Sequence, residues 1–476
     1  MSPTTLPRVI QGGMGVAVSS WHLARTVASA GGLGVVSGTG LDIVLARRLQ
    51  DGDPDGDVRR ALAAFPVPEI ADEILERYFV EGGKAPEAPY LPTSRPSLSP
   101  SVRADRLIVA ANFVEVWLAR EGHTGTVGIN YLEKIQMTTP ASAYGAMLAG
   151  VDAVLMGAGI PAHIPAMLTT LAQHGTTALP VDVADAGDEK FVIAFDPVAT
   201  LGVTLAPLAR PTFLAIVSSH VLAAYLARDE VTRPDGFVIE APTAGGHNAP
   251  PRGKLVVDDL GQPVYGPRDE ANLTAMVDLG LPFWLAGSFG TPERLREALE
   301  LGAAGIQVGT LFALSLDSGF RDDLRDALLK SIADDTLVVR TDALASPTGF
   351  PFKVVQMEGT LSDTALHHAR TTVCDLGHLR QPFRKADGDI DYRCASEPAA
   401  IFVRKGGEAG ATDGRVCLCN ALCASVGLPQ VRKGGEPELP LITLGDDLVG
   451  ARVLLASHPG GWTADTAVRW LQGEPA

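Results

Sequence analysis

The chain of 476 residues is longer than a typical single domain, and its composition, 46% hydrophobic and 20% charged, is that of a globular protein with ample core material. Its formal net charge of −16 argues against nucleic acid or an anionic membrane as a partner, because both attract basic surfaces. The N-terminus lacks the pattern of a secretory signal, and no apolar run reaches the roughly 18 residues that a membrane helix needs. We therefore expect a cytoplasmic protein.

Short apolar runs rich in valine, isoleucine and leucine recur along the first two thirds of the chain, and each ends in small residues. Uninterrupted apolar runs are typical of strands that are buried on both faces. The runs are RVIQGG (8–13), GGLGVVSG (31–38), GTVGIN (125–130), VDAVLMGAG (151–159), TFLAIVSS (212–219), GFVIEAPTAGG (236–246), PFWLAGSFG (282–290) and AAGIQVGT (303–310). Because helical stretches separate many of them, the pattern favours an α/β fold of the (β/α)8 TIM-barrel type over an open doubly wound sheet.

The clearest of the helical stretches is TPERLREALELG (291–302). Thr291 can cap its start, Pro292 suits the first turn, and Gly302 can end it.

Three regions depart from this repeat. Residues 51–101 contain a helix-like stretch followed by a proline-rich one, and residues 176–200 have the pattern of a hairpin, so both are predicted to be insertions. After about residue 345 the chain becomes glycine-rich and contains a final helix-like stretch. We therefore predict a barrel over residues 1–345 and a C-terminal extension, residues 346–476, that packs on it.

Glycine and hydroxyl residues gather where the last two strands end. LAGSFGTPERL is followed about 20 residues later by GIQVGTLF, so Gly287, Ser288, Gly290, Gly309 and Thr310 follow consecutive strands. The loops after strands 7 and 8 are the usual phosphate site of TIM barrels, since backbone N–H groups and hydroxyls there converge on one anion. Tight turns that need glycine are the structural alternative.

The first strand ends in QGGMG, with Gly12, Gly13 and Met14 at the predicted barrel mouth. Bare backbone there would let a flat aromatic ring lie close, with the methionine as a soft apolar contact. Asn130 ends the third strand and could hydrogen-bond the polar edge of such a ring. Simple close packing of the first strand and a turn-forming asparagine are the alternatives.

The stretch EAPTAGGHNAPPRG (240–253) places one imidazole, His247, directly after the sixth strand. A neutral imidazole there is a natural general base. Gly245 and Gly246 would keep the backbone close to a planar cofactor while the ring of His247 reaches over it. A histidine of purely structural function is the alternative.

The five cysteines, Cys374, Cys394, Cys417, Cys419 and Cys423, all lie in the last quarter of the chain. Their odd number favours reduced thiols over a disulfide framework. Their spacing is not the paired C-x2-C of structural zinc sites, so we predict no metal and treat them as small buried side chains.

PRVIQGGMG, AGGLGVVSG, EAPTAGGH and PFWLAGSFGTPERLREALELGAAGIQVGTLFALS resemble the nitronate monooxygenase family, formerly called 2-nitropropane dioxygenases, and the related FMN-dependent enoyl reductases. The resemblance covers roughly residues 7–50 and 125–320. The insertion at 51–101 and the extension are more similar to the longer members, which include trans-acting enoyl reductases of polyketide and polyunsaturated fatty-acid synthases.

The resemblance implies a TIM barrel that binds FMN without a covalent bond. It implies a ring site at Gly12, Gly13 and Met14 with Asn130 at the polar edge of the ring. It also implies a phosphate site at Gly287, Ser288, Gly290, Gly309 and Thr310, and His247 as the proposed base. Ser288 stands where many members have glycine, and NAPPRG after His247 replaces a shorter turn, which puts the substrate in doubt more than the flavin.

Two reactions fit this resemblance. In the first, an alkyl nitronate or nitroalkane is oxidised with dioxygen to a carbonyl compound and nitrite. In the second, a nicotinamide cofactor reduces FMN for the reduction of an enoyl thioester. We favour the first reaction. Its partners are a small-molecule substrate and dioxygen, and the prediction allows a homodimer. A flavin-free lyase or isomerase, or a flavin-binding subunit of a larger complex, would be distinguished by colour and by co-purifying partners.

Overall fold

The computed structural model describes residues 6–475. Eight parallel strands of these residues form one sheet: β1 Val9–Gln11, β2 Gly34–Ser37, β3 Val127–Leu132, β4 Ala153–Gly157, β5 Thr212–Val217, β6 Gly236–Glu240, β7 Phe283–Ala286 and β8 Gly305–Val308. Each strand pairs with the next, and β8 pairs with β1 through Ile306 and Val9. A parallel bridge from Ile10 to Leu33 joins β1 to the start of β2 and closes the ring. The predicted TIM barrel and its eight strands are confirmed.

The continuous apolar runs follow from burial on both faces of this sheet. Ile10, Val35, Leu155, Leu214 and Val238 pack with one another inside the barrel. Their neighbours in sequence point outward and belong to the larger core between the strands and the helices, as Val9, Val36, Val154, Phe213 and Phe237 do. Because both faces need apolar side chains, the alternation typical of half-buried strands is absent from these strands.

Helices surround the barrel and extend into its insertions and tail. The α-helices span Trp21–Ser29, Leu41–Gln50, Asp57–Ala63, Pro68–Tyr78, Val102–Arg120, Thr139–Leu148, Ile164–Ala172, Pro197–Leu201, His220–Ala227, Leu273–Asp278, Pro292–Glu300, Thr310–Ala313, Asp322–Ala333, Thr364–Ala369, Ala399–Arg404, Leu418–Ser425, Val449–Ser457 and Ala464–Leu471. Short 3-10 turns lie at Gln136–Thr138 and Ala409–Thr412. Within residues 6–475, none of the helices has the length and hydrophobicity needed to cross a bilayer.

The helix predicted at 291–302 is present as Pro292–Glu300. The Thr291 hydroxyl accepts a hydrogen bond from the Arg294 N–H, as a capping residue should. Leu295 and Ala298 are buried on its inner face. Gly302 follows the helix with a φ of 87°, a backbone conformation that favours glycine.

The two insertions lie outside the strand–helix repeat. The first contains the helices Asp57–Ala63 and Pro68–Tyr78, and the second folds as an antiparallel hairpin of Thr177–Val181 with Phe191–Phe195. The helix-like stretch predicted in the first insertion is present as Pro68–Tyr78, and Pro68 begins it because proline is favoured in the first turn of a helix.

The chain after residue 345 covers the end of the barrel where the strands stop. One hairpin, Val338–Asp342 with Phe352–Gln356, spans residue 345, and a second, Gln381–Arg384 with Ile390–Arg393, lies beyond it. Its last segment returns to the barrel wall, where Trp462 is fully buried and donates from Nε1 to the Leu311 carbonyl at 3.0 Å. This tail therefore forms part of the walls around the barrel mouth.

Candidate active site

A cavity opens at the carboxyl end of the barrel strands, with an empty volume of about 1740 Å³ including its mouth. All of the residues predicted for the site line it: Gly12, Gly13, Met14, Asn130, Gly245, Gly246, His247, Gly287, Ser288, Gly290, Gly309 and Thr310. They come from the ends of β1, β3, β6, β7 and β8. The structure thus brings the predicted residues to one cavity, while their roles stay predictions.

The edge of the cavity formed by β1 and β3 is closely packed. A Cβ atom on Gly13 would lie 2.4 Å from the Cβ of Asn130, so only glycine fits beside this asparagine. Asn130 Nδ2 donates to the Gly13 carbonyl at 3.2 Å. The amide oxygens of Asn130 and of Gln307 on β8 are buried without a donor from the protein. Such buried acceptors are uncommon, and a bound ligand N–H or a water would satisfy them.

The loop after β7 adopts a backbone conformation that glycine favours. Gly287 has a φ of 84°, and Ser288 has a φ of 61°, which is a strained conformation for a residue with a Cβ atom. A Cβ on Gly287 would lie 2.8 Å from Thr243 Oγ1. Gly290 follows just before the capped helix that begins at Pro292. Backbone N–H groups at such a turn and helix start are suited to an anion.

The tail adds residues to this corner that the sequence analysis missed. The Thr310 hydroxyl accepts from the Gly445 N–H at 2.8 Å, and a Cβ on Gly450 would lie 2.0 Å from the Gly290 carbonyl oxygen. Gly450 lies in the first turn of the helix Val449–Ser457, whose own N–H at Val449 is capped by Asp447. Glycines at 445 and 450 were visible in the sequence, but nothing local indicated which strand ends they would meet.

His247 sits on the cavity wall with its ring held by two residues near the start of the tail. Its Nε2 lies 2.7 Å from Ser346 Oγ, and its ring meets that of Phe352 edge-on at 4.8 Å between centroids. Burial lowers the pKa of His247 to about 4. Burial therefore favours the neutral imidazole at physiological pH, and its tautomer decides whether Nε2 donates to Ser346 Oγ or accepts from it.

The loop that carries His247 is fixed from both sides by the tail. The Gly246 N–H donates to Thr443 Oγ1 at 2.8 Å, and the Gly246 carbonyl accepts from the Lys353 N–H at 2.9 Å. A Cβ on Gly245 would lie 2.8 Å from the carbonyl carbon of Leu444. Close approach of the tail is thus a structural reason for glycine at 245, in addition to the predicted approach of a cofactor.

A half-buried carboxyl group at the end of β6 was also missed. Glu240 lines the cavity, and burial alone raises its pKa to about 8, with no charged partner to offset the cost. It was overlooked because it ends an apolar strand whose pattern predicts burial and not chemistry. A carboxyl group at the carboxyl end of a barrel strand lies where catalytic residues of this fold are found.

The lining of the cavity carries few charges. Its titratable side chains are Tyr131, Glu240, His247, His378, Asp447, Cys419 and Cys423, and no lysine or arginine among the described residues lines it. The ends of β7 and β8, with Gly287, Ser288, Gly290, Gly309 and Thr310, form what we call the β7–β8 corner. An anionic group bound there would therefore rely on backbone N–H groups and hydroxyls, as expected for a phosphate.

The five cysteines are free thiols, and two of them, Cys419 and Cys423, reach the cavity wall. Contact with Cys374 lowers the pKa of the buried Cys394 thiol to about 7. In the part of the chain that the structure describes, no three histidine, cysteine or acidic side chains are arranged to hold a metal ion.

The closed barrel, with a ligand cavity where its strands end, defines the molecule as a TIM-barrel protein of the enzyme type. Residues 207–347 match the family model described as nitronate monooxygenase. This segment contains β5 to β8, His247 and the β7–β8 corner. The predicted resemblance is thereby confirmed for this segment, which is similar to the nitronate monooxygenase family, a family of oxidoreductases.

Individual relatives are more distant. A probable nitronate monooxygenase from Staphylococcus aureus is 29% identical over 143 residues, which cover 29% of this chain and 39% of the relative. The (3aS,4S,5R,7aS)-5-hydroxy-7a-methyl-1-oxo-octahydro-1H-indene-4-carboxyl-CoA dehydrogenase of Mycobacterium tuberculosis is 29% identical over 232 residues, which cover 45% of this chain and 60% of the relative. This chain thus spans less than two thirds of the length of these curated relatives.

Solved structures of similar proteins include a nitroalkane oxidase and an enoyl reductase. The nitroalkane oxidase from Streptomyces ansochromogenes aligns with 98% of this chain and 95% of its own, at 14% identity and a TM-score of 0.47. The enoyl reductase domain of MlnA from Bacillus amyloliquefaciens aligns with 98% of this chain and 93% of its own, at 12% identity and a TM-score of 0.47.

Proposed function

We propose that this protein is an FMN-dependent oxidoreductase that oxidises alkyl nitronates or nitroalkanes with dioxygen to carbonyl compounds and nitrite. The observation that carries the proposal is the meeting of the glycine-rich ends of β1, β7 and β8 and a neutral His247 on one cavity. The family match covers the strands that contribute His247 and the β7–β8 corner.

The residues present fit FMN. The buried amide oxygens of Asn130 and Gln307 lack donors, and the polar edge of a flavin ring carries an N–H group. Gly12, Gly13 and Met14 leave bare backbone and a soft apolar side chain beside them. Gly287, Ser288, Gly290, Gly309 and Thr310 would hold the phosphate through N–H groups and hydroxyls. When bound, FMN would accept electrons from the substrate and deliver them to dioxygen.

His247 would act at the substrate carbon that carries the nitro group. Its neutral ring can accept the α-proton of a nitroalkane, while Ser346 and Phe352 fix the direction of the ring. Because burial disfavours the imidazolium, His247 is a weak base, so a nitronate, which has already lost this proton, should be the better substrate. The apolar walls of the cavity suit small alkyl groups on a nitroalkane or on a nitronate.

Nitrite release and oxygen uptake by the flavin-loaded protein test the proposal. With ethyl nitronate, both should proceed without a nicotinamide cofactor, and nitroethane should react more slowly. The alternative, reduction of an enoyl thioester, is tested in parallel with NADPH and crotonyl-CoA. Thioester reduction without any nitrite release from ethyl nitronate would replace the proposed function with that alternative.

We also propose partners, a compartment and an assembly for this protein. A small-molecule substrate and dioxygen are the partners that it requires, and the free thiols fit a reducing compartment such as the cytoplasm. A homodimer is the assembly that gel filtration with light scattering would examine.

A further inference from the structure

Glu240 occupies a place between two cavities. It lines the main cavity together with His247, and it also lines a smaller side pocket on the other side of the loop after β6. The side pocket is bounded by Asn248, Arg252, Tyr265 and Asp269, in addition to apolar and backbone groups. The carboxyl group therefore lies at the boundary between the predicted reaction site and a polar pocket near the surface.

Polar groups line the side pocket between Glu240 and the solvent. Asn248 is buried, and its Oδ1 lacks a donor from the protein. The Tyr265 hydroxyl donates to the Ala249 carbonyl at 3.0 Å, and Asp269 accepts from the N–H groups of Arg252 and Gly266. Arg252 is exposed at the outer end. These hydrogen bonds run to backbone groups and not from one side chain to the next, so water held among the polar groups of the pocket would complete a proton route between Glu240 and solvent.

We propose that Glu240 is a second acid–base residue of the cavity, which takes up the substrate proton that His247 accepts and passes it to solvent through the side pocket. The inference rests on the proposed function, since it concerns the deprotonation of a nitroalkane. In this step the C–H bond breaks, its electron pair stays on the nitronate, His247 takes the proton, and the proton then moves through water in the cavity to a carboxylate oxygen of Glu240. Water at the side pocket then takes the proton, which restores the carboxylate.

The proton affinities of the two residues support this order. Burial keeps His247 from holding a proton, whereas burial makes the carboxylate of Glu240 a stronger base than usual, with a pKa of about 8. The titratable or charged groups that line the cavities with Glu240 on this side are His247, Arg252, Tyr265 and Asp269. At the ends of the neighbouring strands β5 and β7, the polar side chains that line these cavities are those of Ser218 and Ser288, and both are neutral. Ionised Glu240 therefore increases as the pH rises toward 9, and nitroalkane deprotonation should rise with it.

Exchange of the α-hydrogens of nitroethane with D2O tests the proposal without any need for oxidation. The flavin-loaded protein is incubated anaerobically with nitroethane between pD 6 and 9, and exchange is followed by NMR against a protein-free blank. We expect enzyme-catalysed exchange that rises with a midpoint near 8. Glu240→Gln should lower it by about 100-fold, the usual scale for loss of an acid–base group. Glu240→Asp should retain part of the rate with a shifted midpoint.

Glu133→Gln is the matched control, because Glu133 is a half-buried glutamate on the loop after β3 that does not line the cavity. It should exchange as the unchanged protein does. Flavin content and circular dichroism establish that each variant is folded, and Glu240→Asp serves if the glutamine variant is not. Exchange by Glu240→Gln at the unchanged rate, or no catalysed exchange by the unchanged protein, would overturn the proposal.

Oxidation of ethyl nitronate separates this inference from the proposed function. The nitronate has already lost its proton, so Glu240→Gln should still release nitrite from it at most of the unchanged rate. If nitrite is released but exchange does not depend on Glu240, the inference alone fails. If exchange depends on Glu240 but no nitronate is oxidised, the proposed function fails and the role of Glu240 in proton transfer stands.

Discussion

Replacement of Ser288 separates backbone strain from ligand binding in the loop after β7. Ser288 has a φ of 61°, and this left-handed conformation costs a residue with a Cβ atom about 1 kcal/mol relative to glycine. Ser288→Gly should therefore stabilise the flavin-free protein by about 1 kcal/mol. Ser288→Ala keeps the Cβ atom and should leave the stability of the flavin-free protein nearly unchanged.

Both variants lose the hydroxyl that we place at the FMN phosphate. A hydrogen bond to a charged group contributes about 1.5–3 kcal/mol, so the Kd for FMN should rise by about 10-fold or more in each. Flavin fluorescence titration measures the Kd, and urea unfolding of the flavin-free protein measures the stability. Asp335→Gly, at an exposed residue with a φ of 53° that does not line the cavity, relieves the same backbone strain but removes an exposed ion pair with Arg452, and it should leave the Kd unchanged. Unchanged FMN binding by Ser288→Ala would refute the phosphate site at this hydroxyl.

Three further variants test other parts of the site. His247→Asn should keep its flavin but lose about two to four orders of magnitude in nitroethane turnover, as nitrite assays would show; near-normal turnover would exclude His247 as the base. Glu240 has a pKa of about 8 in the folded protein and the ordinary value of 4.5 in the unfolded chain, so its protonated form stabilises the fold fully below pH 4.5. This stabilisation is lost as the pH rises through 8, and Glu240→Gln should remove that pH dependence. With a discount for solvent in the cavity, the free energy of unfolding should fall by about 3 kcal/mol more in the unchanged protein than in the variant over this pH range. Parallel plots of unfolding free energy against pH for the two proteins would contradict this. Gly245→Ala forces a Cβ to within 2.8 Å of Leu444 and should destabilise the fold by about 1–3 kcal/mol, whereas Gly434→Ala, which has nothing within 4 Å, should not; equal melting temperatures would argue against the tail contact.

The barrel could be predicted from sequence because its strands are buried on both faces. Val35 and Val36 are adjacent in β2, yet one packs inside the barrel and the other against the helices, so the run is apolar without interruption. The ends of such strands also had to meet at one edge, which is why Asn130, His247 and Ser288 could be assigned to one cavity before their distances were known.

The contribution of the tail could not be predicted, because it depends on contacts between residues far apart in sequence. The N–H of Gly445 meets Thr310, and Ser346 meets His247, across 135 and 99 residues. No periodicity or spacing specifies such pairs. Glu240 was missed for a different reason, since the sequence shows a carboxyl group at the end of a strand but not the absence of a charged partner around it.

The absorbance spectrum of the purified protein, before and after anaerobic addition of ethyl nitronate, tests the central claim most directly. We predict flavin bands, supplied by FMN that remains bound during purification or is added to the protein, and we predict that the nitronate alone changes them in the absence of NADPH. Bands that respond only to NADPH and recover with an enoyl thioester would contradict the proposed reaction. A protein that shows no flavin bands even after incubation with FMN would contradict the assignment of the cavity itself.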